Sequence, residues 1–184
     1  MIFRETGIPG AFAIELERHV DERGSFARIW CARELEQRGL SSRLAQCSLS
    51  TNARRGTLRG MHYAVPPAAE TKVVLCVRGA IYDVLLDLRA SSPNYLRWFA
   101  ETLTADNGLA LYVPEGVAHG FQTLEAESHV LYQISEFYDP AYARGVRWDD
   151  PAFGIEWPDA ERVLSERDRT YPAFQRGRPR VEPS

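Results

Sequence analysis

The stretch KVVLCVRGAIYDVLLDL, residues 72–88, decides the fold class. It contains two apolar, β-branched runs, residues 72–77 and 81–88, with Arg78-Gly79 between them, where a turn is expected. The second run alternates with a period of two. One face then carries Asp83, Leu85 and Asp87, and the other carries Val84, Leu86 and Leu88. The pattern predicts a strand, a turn and a returning strand paired with the first.

The same pattern extends to both sides of this stretch. From about residue 44 to residue 138, short β-rich runs alternate with Gly, Pro, Asn and Asp. A second strand pair is predicted at residues 109–113 and 118–123, joined by the turn Pro114-Glu115-Gly116, and a further strand at residues 130–134. Such spacing is typical of an antiparallel sandwich or barrel, so we predict a mainly β fold.

Few segments favour helix. Residues 32–38 are rich in helix formers and precede Gly39, so they predict one short helix. After Asp139-Pro140, prolines interrupt the chain, and we expect this segment to wrap the barrel as loop. With 184 residues, the chain is expected to form one domain, residues 1–174, followed by a polar tail, residues 175–184.

Composition excludes several classes of protein. No apolar run approaches the roughly 20 residues of a membrane helix, and the N-terminus lacks the features of a secretory signal, which predicts a cytoplasmic protein with no membrane partner. The net charge of -3, with arginines spread along the chain, gives no general attraction for nucleic acid. Cys31, Cys47 and Cys76 form no CxxC pair and are expected to be reduced, buried thiols.

Two of the four histidines are placed where they could do chemistry. His62 and His119 lie beside glycine-containing turns, where the mouth of a barrel is expected, whereas His19 and His129 lie among charged residues and are predicted to be on the surface. A neutral imidazole is the most common general base when a carboxylate holds its tautomer. Asp83 and Asp168 are the candidate carboxylates, and the residues alone do not choose between them.

The sequence Pro114-x-Gly-x-x-His119-x-Phe121 resembles the second motif of the cupin superfamily, whose barrels often hold a metal ion. The first cupin motif requires His-x-His, but here it reads His62-Tyr63-Ala64. Two histidines without a third clear ligand rarely hold a catalytic metal, so a metal-dependent oxygenase is disfavoured. Glu70 is the residue that could complete such a site.

A closer resemblance runs in order through roughly residues 3–174. The segments that carry it are DERGSF (21–26), LRGMHY (58–63), KVV (72–74), DVLLDLR (83–89), Ser92-Pro93, VPEGVAHGF (113–121), WDDP (148–151), IEWP (155–158) and LSERD (164–168). They resemble the dTDP-4-dehydrorhamnose 3,5-epimerase family. The resemblance implies a cupin-type antiparallel β-barrel, or jelly roll, with a few short helices. It also implies a homodimer whose N-terminal segment joins the neighbour's sheet, and no cofactor or bound metal.

The resemblance also implies a reaction and the residues for it. The substrate would be a 4-keto-6-deoxy sugar linked to a nucleotide diphosphate, epimerised at C3, C5 or both through an enolate. His62 would be the base, Asp168 the carboxylate that orients it, Tyr132 the acid on the opposite face of the sugar, and Lys72 the cation beside the ketone oxygen. Residues implied to bind the substrate are Arg23, Phe26, Gln46, Ser48, Arg59, His119 and Tyr138.

The implied chemistry agrees with these residue types. Removal of a hydrogen beside a ketone gives an enolate, so the reaction needs a base, a cation for the growing oxyanion and an acid on the far face. Planar arginine side chains such as Arg23 and Arg59 suit diphosphate oxygens.

Departures from the family concern substrate recognition. The family commonly has Gln-x-Asn-x-Ser where this chain has Gln46-Cys47-Ser48-Leu49-Ser50, and Arg28, Ala64 and Ala143 also differ from the usual residues. We therefore predict an altered nucleotide or sugar, or epimerisation at one carbon only. A 3,4-ketoisomerase on the same fold and a non-catalytic nucleotide-sugar-binding cupin remain alternatives.

Overall fold

The computed structural model describes residues 1–158 and 160–175, so the predicted tail lies outside the described residues from residue 176 onward. Thirteen strands and two short helices make up the described part. The elements are β1 (Ile2–Glu5), β2 (Phe12–Glu15), β3 (Arg18–Asp21), β4 (Gly24–Ala27), α1 (Ala32–Glu36), β5 (Gln46–Asn52), β6 (Leu58–Ala64), β7 (Lys72–Arg78), β8 (Ala80–Asp87), β9 (Trp98–Thr104), β10 (Leu109–Val113), β11 (Val117–Thr123), β12 (Ser128–Ile134), β13 (Ala143–Gly145) and α2 (Glu166–Thr170).

The strands form two large sheets and one separate hairpin. The six-stranded sheet has the order β1-β2-β10-β7-β12-β5, and the five-stranded sheet has the order β13-β6-β11-β8-β9. Strands β3 and β4 pair only with each other. All of these strand pairs are antiparallel. The predicted mainly β, antiparallel fold is therefore confirmed.

Apolar side chains fill three layers. Between the two sheets, Val74 and Leu111 of the six-stranded sheet meet Leu85 and Phe121 of the five-stranded sheet, all fully buried. Complete burial of each such side chain contributes about 1.5–3 kcal/mol. The outer face of the five-stranded sheet is covered by the C-terminal segment, and the outer face of the six-stranded sheet is partly covered by α1. The prediction that the segment after residue 140 wraps the barrel is thus confirmed.

The predicted strands are present, but the predicted strand pairs are wrong. β7 pairs with β10 and β12, whereas β8 pairs with β11 and β9. The chain therefore crosses from one sheet to the other at Gly79, whose φ of +72° is readily adopted by glycine. The second predicted pair fails in the same way, because β10 and β11 belong to different sheets. Alternation identifies the face of a strand but does not say which sheet the next strand joins.

Several other expectations are corrected. The N-terminal strands β1–β4 were not predicted, and the segment expected to be loop contains β13 and α2. The three cysteines are free as expected, but only Cys76 is buried, while Cys47 is exposed on the edge strand β5. Within the described residues, no helix has the length and apolar character needed to cross a bilayer.

Candidate active site

A cavity of about 330 Å³ opens between the two sheets at one end of the sandwich. Strands β5, β7 and β12 supply one wall, and β6, β11 and β13 supply the other. His62 on β6 and Tyr132 on β12 both line it, from opposite sheets. The cavity therefore has an imidazole on one wall and a phenol on the other.

His62 is held by Asp168. Its Nε2 lies 2.6 Å from Asp168 Oδ1, and the Asp168 side chain is almost completely buried on α2. Burial alone would raise the pKa of Asp168, but hydrogen bonds from His62, from Ser165 and from the backbone of Gly60 outweigh it, and the pKa is lowered. An ionised carboxylate can only accept hydrogen bonds, so Nε2 carries the proton. Nδ1 is then the imidazole nitrogen that can act as a base.

Two glycines let His62 and His119 stand side by side. The two histidines are register partners on β6 and β11, and the register shifts just beyond them. A Cβ at Gly60, whose φ is +141°, would lie 2.6 Å from the Gly120 Cα, and a Cβ at Gly120 would lie 2.9 Å from the Arg59 carbonyl oxygen. Only glycine permits this approach, which explains the sequences Arg59-Gly60-Met61-His62 and His119-Gly120-Phe121.

Asp83 holds His119 rather than His62. His119 Nε2 lies 3.0 Å and 2.9 Å from the two Asp83 oxygens, and both residues are buried. Burial raises the pKa of Asp83, and the neighbouring His119 opposes the rise. Of the two carboxylates that the sequence left open as the partner of His62, the structure places Asp168 in contact with it.

Tyr132 is surrounded by groups that keep it protonated. Its ring meets the His119 ring edge-on, with centroids 5.9 Å apart. Burial and the negative charge of Asp83 raise the pKa of Tyr132 far above its ordinary value, and Arg59 only partly opposes this. The phenol is therefore a proton donor throughout the neutral range.

Lys72 forms an ion pair within the cavity wall. Its Nζ lies 2.5 Å from Glu70 Oε1, and the two side chains are only 11% and 15% exposed. Glu70 thus pairs with Lys72, a role the sequence did not indicate. In the part of the chain that the structure describes, no three His, Cys, Asp or Glu side chains are grouped so that they could hold a metal ion.

The structure places only some of the residues predicted to bind the substrate in the cavity. Ser48, Arg59, His119 and Tyr138 line the cavity. Gln46 does not line it, but its Oε1 accepts a hydrogen bond of 2.6 Å from the backbone N–H of Tyr138 and so supports that residue.

The sequence analysis gave no role to several lining residues, among them Phe137 and Arg167, and it considered Glu70 only as a metal ligand. Phe137 is the aromatic neighbour of Tyr138 and Arg167 immediately precedes Asp168. The sequence could have indicated Phe137 and Arg167 as site residues, because each is adjacent to a predicted site residue.

Arg23 and Phe26 are not brought to the cavity of their own chain. They lie on the β3–β4 hairpin, where the Arg23 side chain is 84% exposed and Phe26 is 71% exposed. Arg23 forms an ion pair with Asp21 of the same hairpin. The single chain therefore does not bring these two predicted binding residues to its cavity.

Comparison with known proteins gives a consistent result. Residues 5–176 match the dTDP-4-dehydrorhamnose 3,5-epimerase family. A protein of that name from Sinorhizobium fredii is 38% identical over 175 residues, which cover 95% of this chain and 90% of the relative. A dTDP-4-dehydrorhamnose 3-epimerase from Streptomyces niveus is 40% identical over 170 residues, covering 92% and 82%.

Solved structures agree with the sequence matches. The crystal structure of a 4-keto-6-deoxy sugar epimerase from the novobiocin biosynthetic gene cluster of Streptomyces spheroides superposes with a TM-score of 0.89 at 39% identity. The match covers 94% of this chain and 87% of that one.

Proposed function

The chain belongs to the dTDP-4-dehydrorhamnose 3,5-epimerase family, and we propose that it is an isomerase that inverts C3, C5 or both in a nucleotide-diphosphate-linked 4-keto-6-deoxy sugar. One observation carries the proposal. His62, with its Nδ1 available as a base, and Tyr132, a protonated phenol, line the same cavity from opposite sheets. A sugar ring held between them would have a proton acceptor on one face and a proton donor on the other.

The reaction follows from this arrangement. Nδ1 of His62 removes a proton from the carbon beside the ketone. The electron pair of the broken C–H bond moves onto the ketone oxygen, which gives an enolate. The Lys72 ammonium stabilises that oxygen, and Glu70 holds the ammonium in place. Tyr132 then returns a proton to the carbon from the other face, which inverts its configuration. Asp168 stabilises the imidazolium that forms on His62.

The rest of the cavity suits a nucleotide diphosphate. The guanidinium of Arg59 is suited to diphosphate oxygens, while its Nε remains bound to Asn52 Oδ1 at 2.8 Å. Phe137 and Tyr138 are 63% and 62% exposed at the edge of the cavity and offer flat apolar faces to a base. These contacts bind the part of the substrate that does not react.

Two copies of the chain would complete the site. β1 pairs with β2, and β2 pairs with β10 of the same chain, which leaves the β3–β4 hairpin as the N-terminal segment available for exchange. Its exposed Val20 and Phe26 are costly in water, and the ion pair that its exposed Arg23 makes is with Asp21 of the same hairpin. We assign this hairpin to the cavity of a second copy, where Arg23 would meet the diphosphate and Phe26 the nucleoside.

The identity of the substrate and the number of carbons inverted are parts of this proposal. Ala64 and Ala143 line the cavity and offer no polar group, while Ser48 presents a hydroxyl. Relatives include both a 3,5-epimerase and a 3-epimerase, so the family alone does not choose between one and two centres. The cytoplasmic location predicted from the sequence stays a prediction.

The test is incubation of the purified protein with dTDP- and CDP-linked 4-keto-6-deoxy sugars in deuterated water, followed by NMR of the products. We expect deuterium at C3 with inversion there. Additional label at C5 would identify a two-centre enzyme, and label at C3 alone a one-centre enzyme for that substrate. A carbonyl moved to C3 would identify a 3,4-ketoisomerase, and binding without exchange a non-catalytic protein, and either result would overturn the proposal.

A further inference from the structure

Tyr171 contacts the catalytic imidazole from outside the cavity. Its ring meets the His62 ring edge-on, with centroids 6.1 Å apart and an angle of 64° between the planes. Edge-on pairs at this separation are favourable contacts. Tyr171 does not itself line the cavity, but it contacts two residues that do, His62 and Arg167, and its ring packs against the imidazole of His62.

A glycine beside His62 makes room for this ring. Gly145 on β13 is the register partner of His62 on β6. A Cβ at Gly145 would overlap the Tyr171 ring and lie 2.6 Å from its hydroxyl oxygen. The tyrosine therefore occupies the space that a side chain at position 145 would need, directly beside the imidazole.

The same short segment carries both contacts to His62. Asp168 lies within α2, and Tyr171 caps its C-terminus three residues later. The hydrogen bond from Nε2 to Asp168 fixes one point of the imidazole but leaves rotation about that bond. The ring of Tyr171 supplies a second contact, which restricts that rotation.

The contact with His62 is made by the ring of Tyr171. The Tyr171 hydroxyl is buried beside Arg167. Burial raises the pKa of Tyr171, and the charge of Arg167 and its hydrogen bonding to the hydroxyl oppose the rise without cancelling it, so the phenol is neutral near pH 7.

We propose that Tyr171 is a positioning residue, seated on Gly145, that holds the His62 imidazole in the orientation where Nδ1 faces the substrate. The effect on catalysis rests on the proposed epimerase function. The contact between Tyr171 and His62 does not rest on that function, since it can be measured in the free protein.

The kinetic test compares Tyr171→Phe, Tyr171→Ala, Gly145→Ala and the double variant of the two alanine changes. Tyr171→Ala should lower kcat for C3 exchange by about three- to tenfold, with KM within about twofold, and Tyr171→Phe should restore the activity. Gly145→Ala should lower kcat similarly because its methyl group displaces the ring. In the Tyr171→Ala background, the same glycine change should add no further loss.

A matched control is Tyr82→Ala, which removes another edge-on aromatic pair, with Trp157 at 6.3 Å, away from the cavity. It should lower the unfolding temperature and leave kcat unchanged. Unaltered kcat in Tyr171→Ala, or an equal loss from Gly145→Ala in both backgrounds, would overturn the proposal.

A second measurement needs no substrate. In nitrogen-15-labelled protein, the His62 Nε2 proton, assigned by its absence in His62→Ala, should exchange slowly with water in the wild type and in Tyr171→Phe. It should be lost by exchange in Tyr171→Ala and in Gly145→Ala. A signal that persists unchanged in Tyr171→Ala would refute the positioning role, even if the wild type turned out not to be an epimerase.

Discussion

Asp168 and Asp83 each hold a histidine in the cavity wall, but their pKa values move in opposite directions. Asp168 gains hydrogen bonds from three groups, and its pKa is lowered in spite of burial. Asp83 is fully buried with His119 as its bonded partner, and burial raises its pKa. The carboxylate beside His62 is therefore the one whose lowered pKa favours the charged form, which an imidazole needs if it is to become an imidazolium during the reaction.

This difference predicts unequal effects of the same substitution. Asp168→Asn should lower kcat by about 10²- to 10⁴-fold, because it removes the charge that stabilises protonated His62. Asp83→Asn is the matched control, also a buried carboxylate bonded to a histidine, and should lower kcat by less than about tenfold. Steady-state kinetics of C3 exchange checks both, and an equal loss in the two variants would contradict the assignment of roles.

Cys76 predicts a loss of stability at high pH. Burial raises its pKa to about 11. The folded protein then keeps the thiol proton at pH values where the unfolded chain, with a thiol pKa of about 8.5, has lost it. The contribution to stability is complete below about pH 8.5 and is lost as the pH rises through about 11, in total on the order of 3–4 kcal/mol.

Urea unfolding between pH 8 and pH 11 measures this effect in the wild type and in Cys76→Ala. Tyrosines with raised pKa values change the free energy of unfolding of both proteins alike. The difference between the two proteins in the slope of the free energy of unfolding against pH therefore reports the thiol alone. Identical slopes would show that Cys76 does not titrate as described.

Among the elements, the β3–β4 hairpin differs most from the rest of the structure. It pairs with no other strand in the part of the chain that the structure describes, and it carries Arg23 and Phe26 exposed. The family resemblance predicted site roles for these residues and an exchanged N-terminal segment. Strand patterns alone predicted neither.

Exchange of the hairpin predicts complementation between two defective subunits. Arg23→Ala should raise KM in the homodimer, and His62→Ala should abolish exchange. In a mixed dimer, the subunit that keeps His62 would receive an intact Arg23 from its neighbour, so one complete site should form. Mixed dimers prepared by co-expression with two affinity tags should regain about half of the wild-type activity per dimer, with the wild-type KM. No gain over the Arg23→Ala homodimer would contradict exchange.

Short elements show where prediction from the sequence ends. β7, β8, β10, β11 and β12 are long enough for alternation to identify them, and the structure has them within a residue or two of their predicted bounds. β1–β4 have four residues each and α2 has five, too few for a period to stand out. Asp168 was one of two candidate carboxylates from the sequence, and the family resemblance alone favoured it over Asp83.

For the whole molecule, the residues of the site were easier to predict than the path of the chain. His62, Tyr132 and Lys72 were named from the sequence, and all three line one cavity. The crossing between sheets after β7 and after β10 was not predicted, because both sheets bury apolar side chains on the same interior face. The contact of Tyr171 with His62 joins distant parts of the chain, which no local pattern contains.

The central claim is that His62 and Tyr132 act on opposite faces of one sugar ring. It is tested most directly by comparing deuterium uptake with configuration at C3 in Tyr132→Phe and His62→Ala. Tyr132→Phe, which loses only the hydroxyl, should still take up deuterium at C3 from the His62 side but with the configuration retained, and His62→Ala should take up none. Undiminished inversion in Tyr132→Phe, or exchange that survives in His62→Ala, would contradict the account.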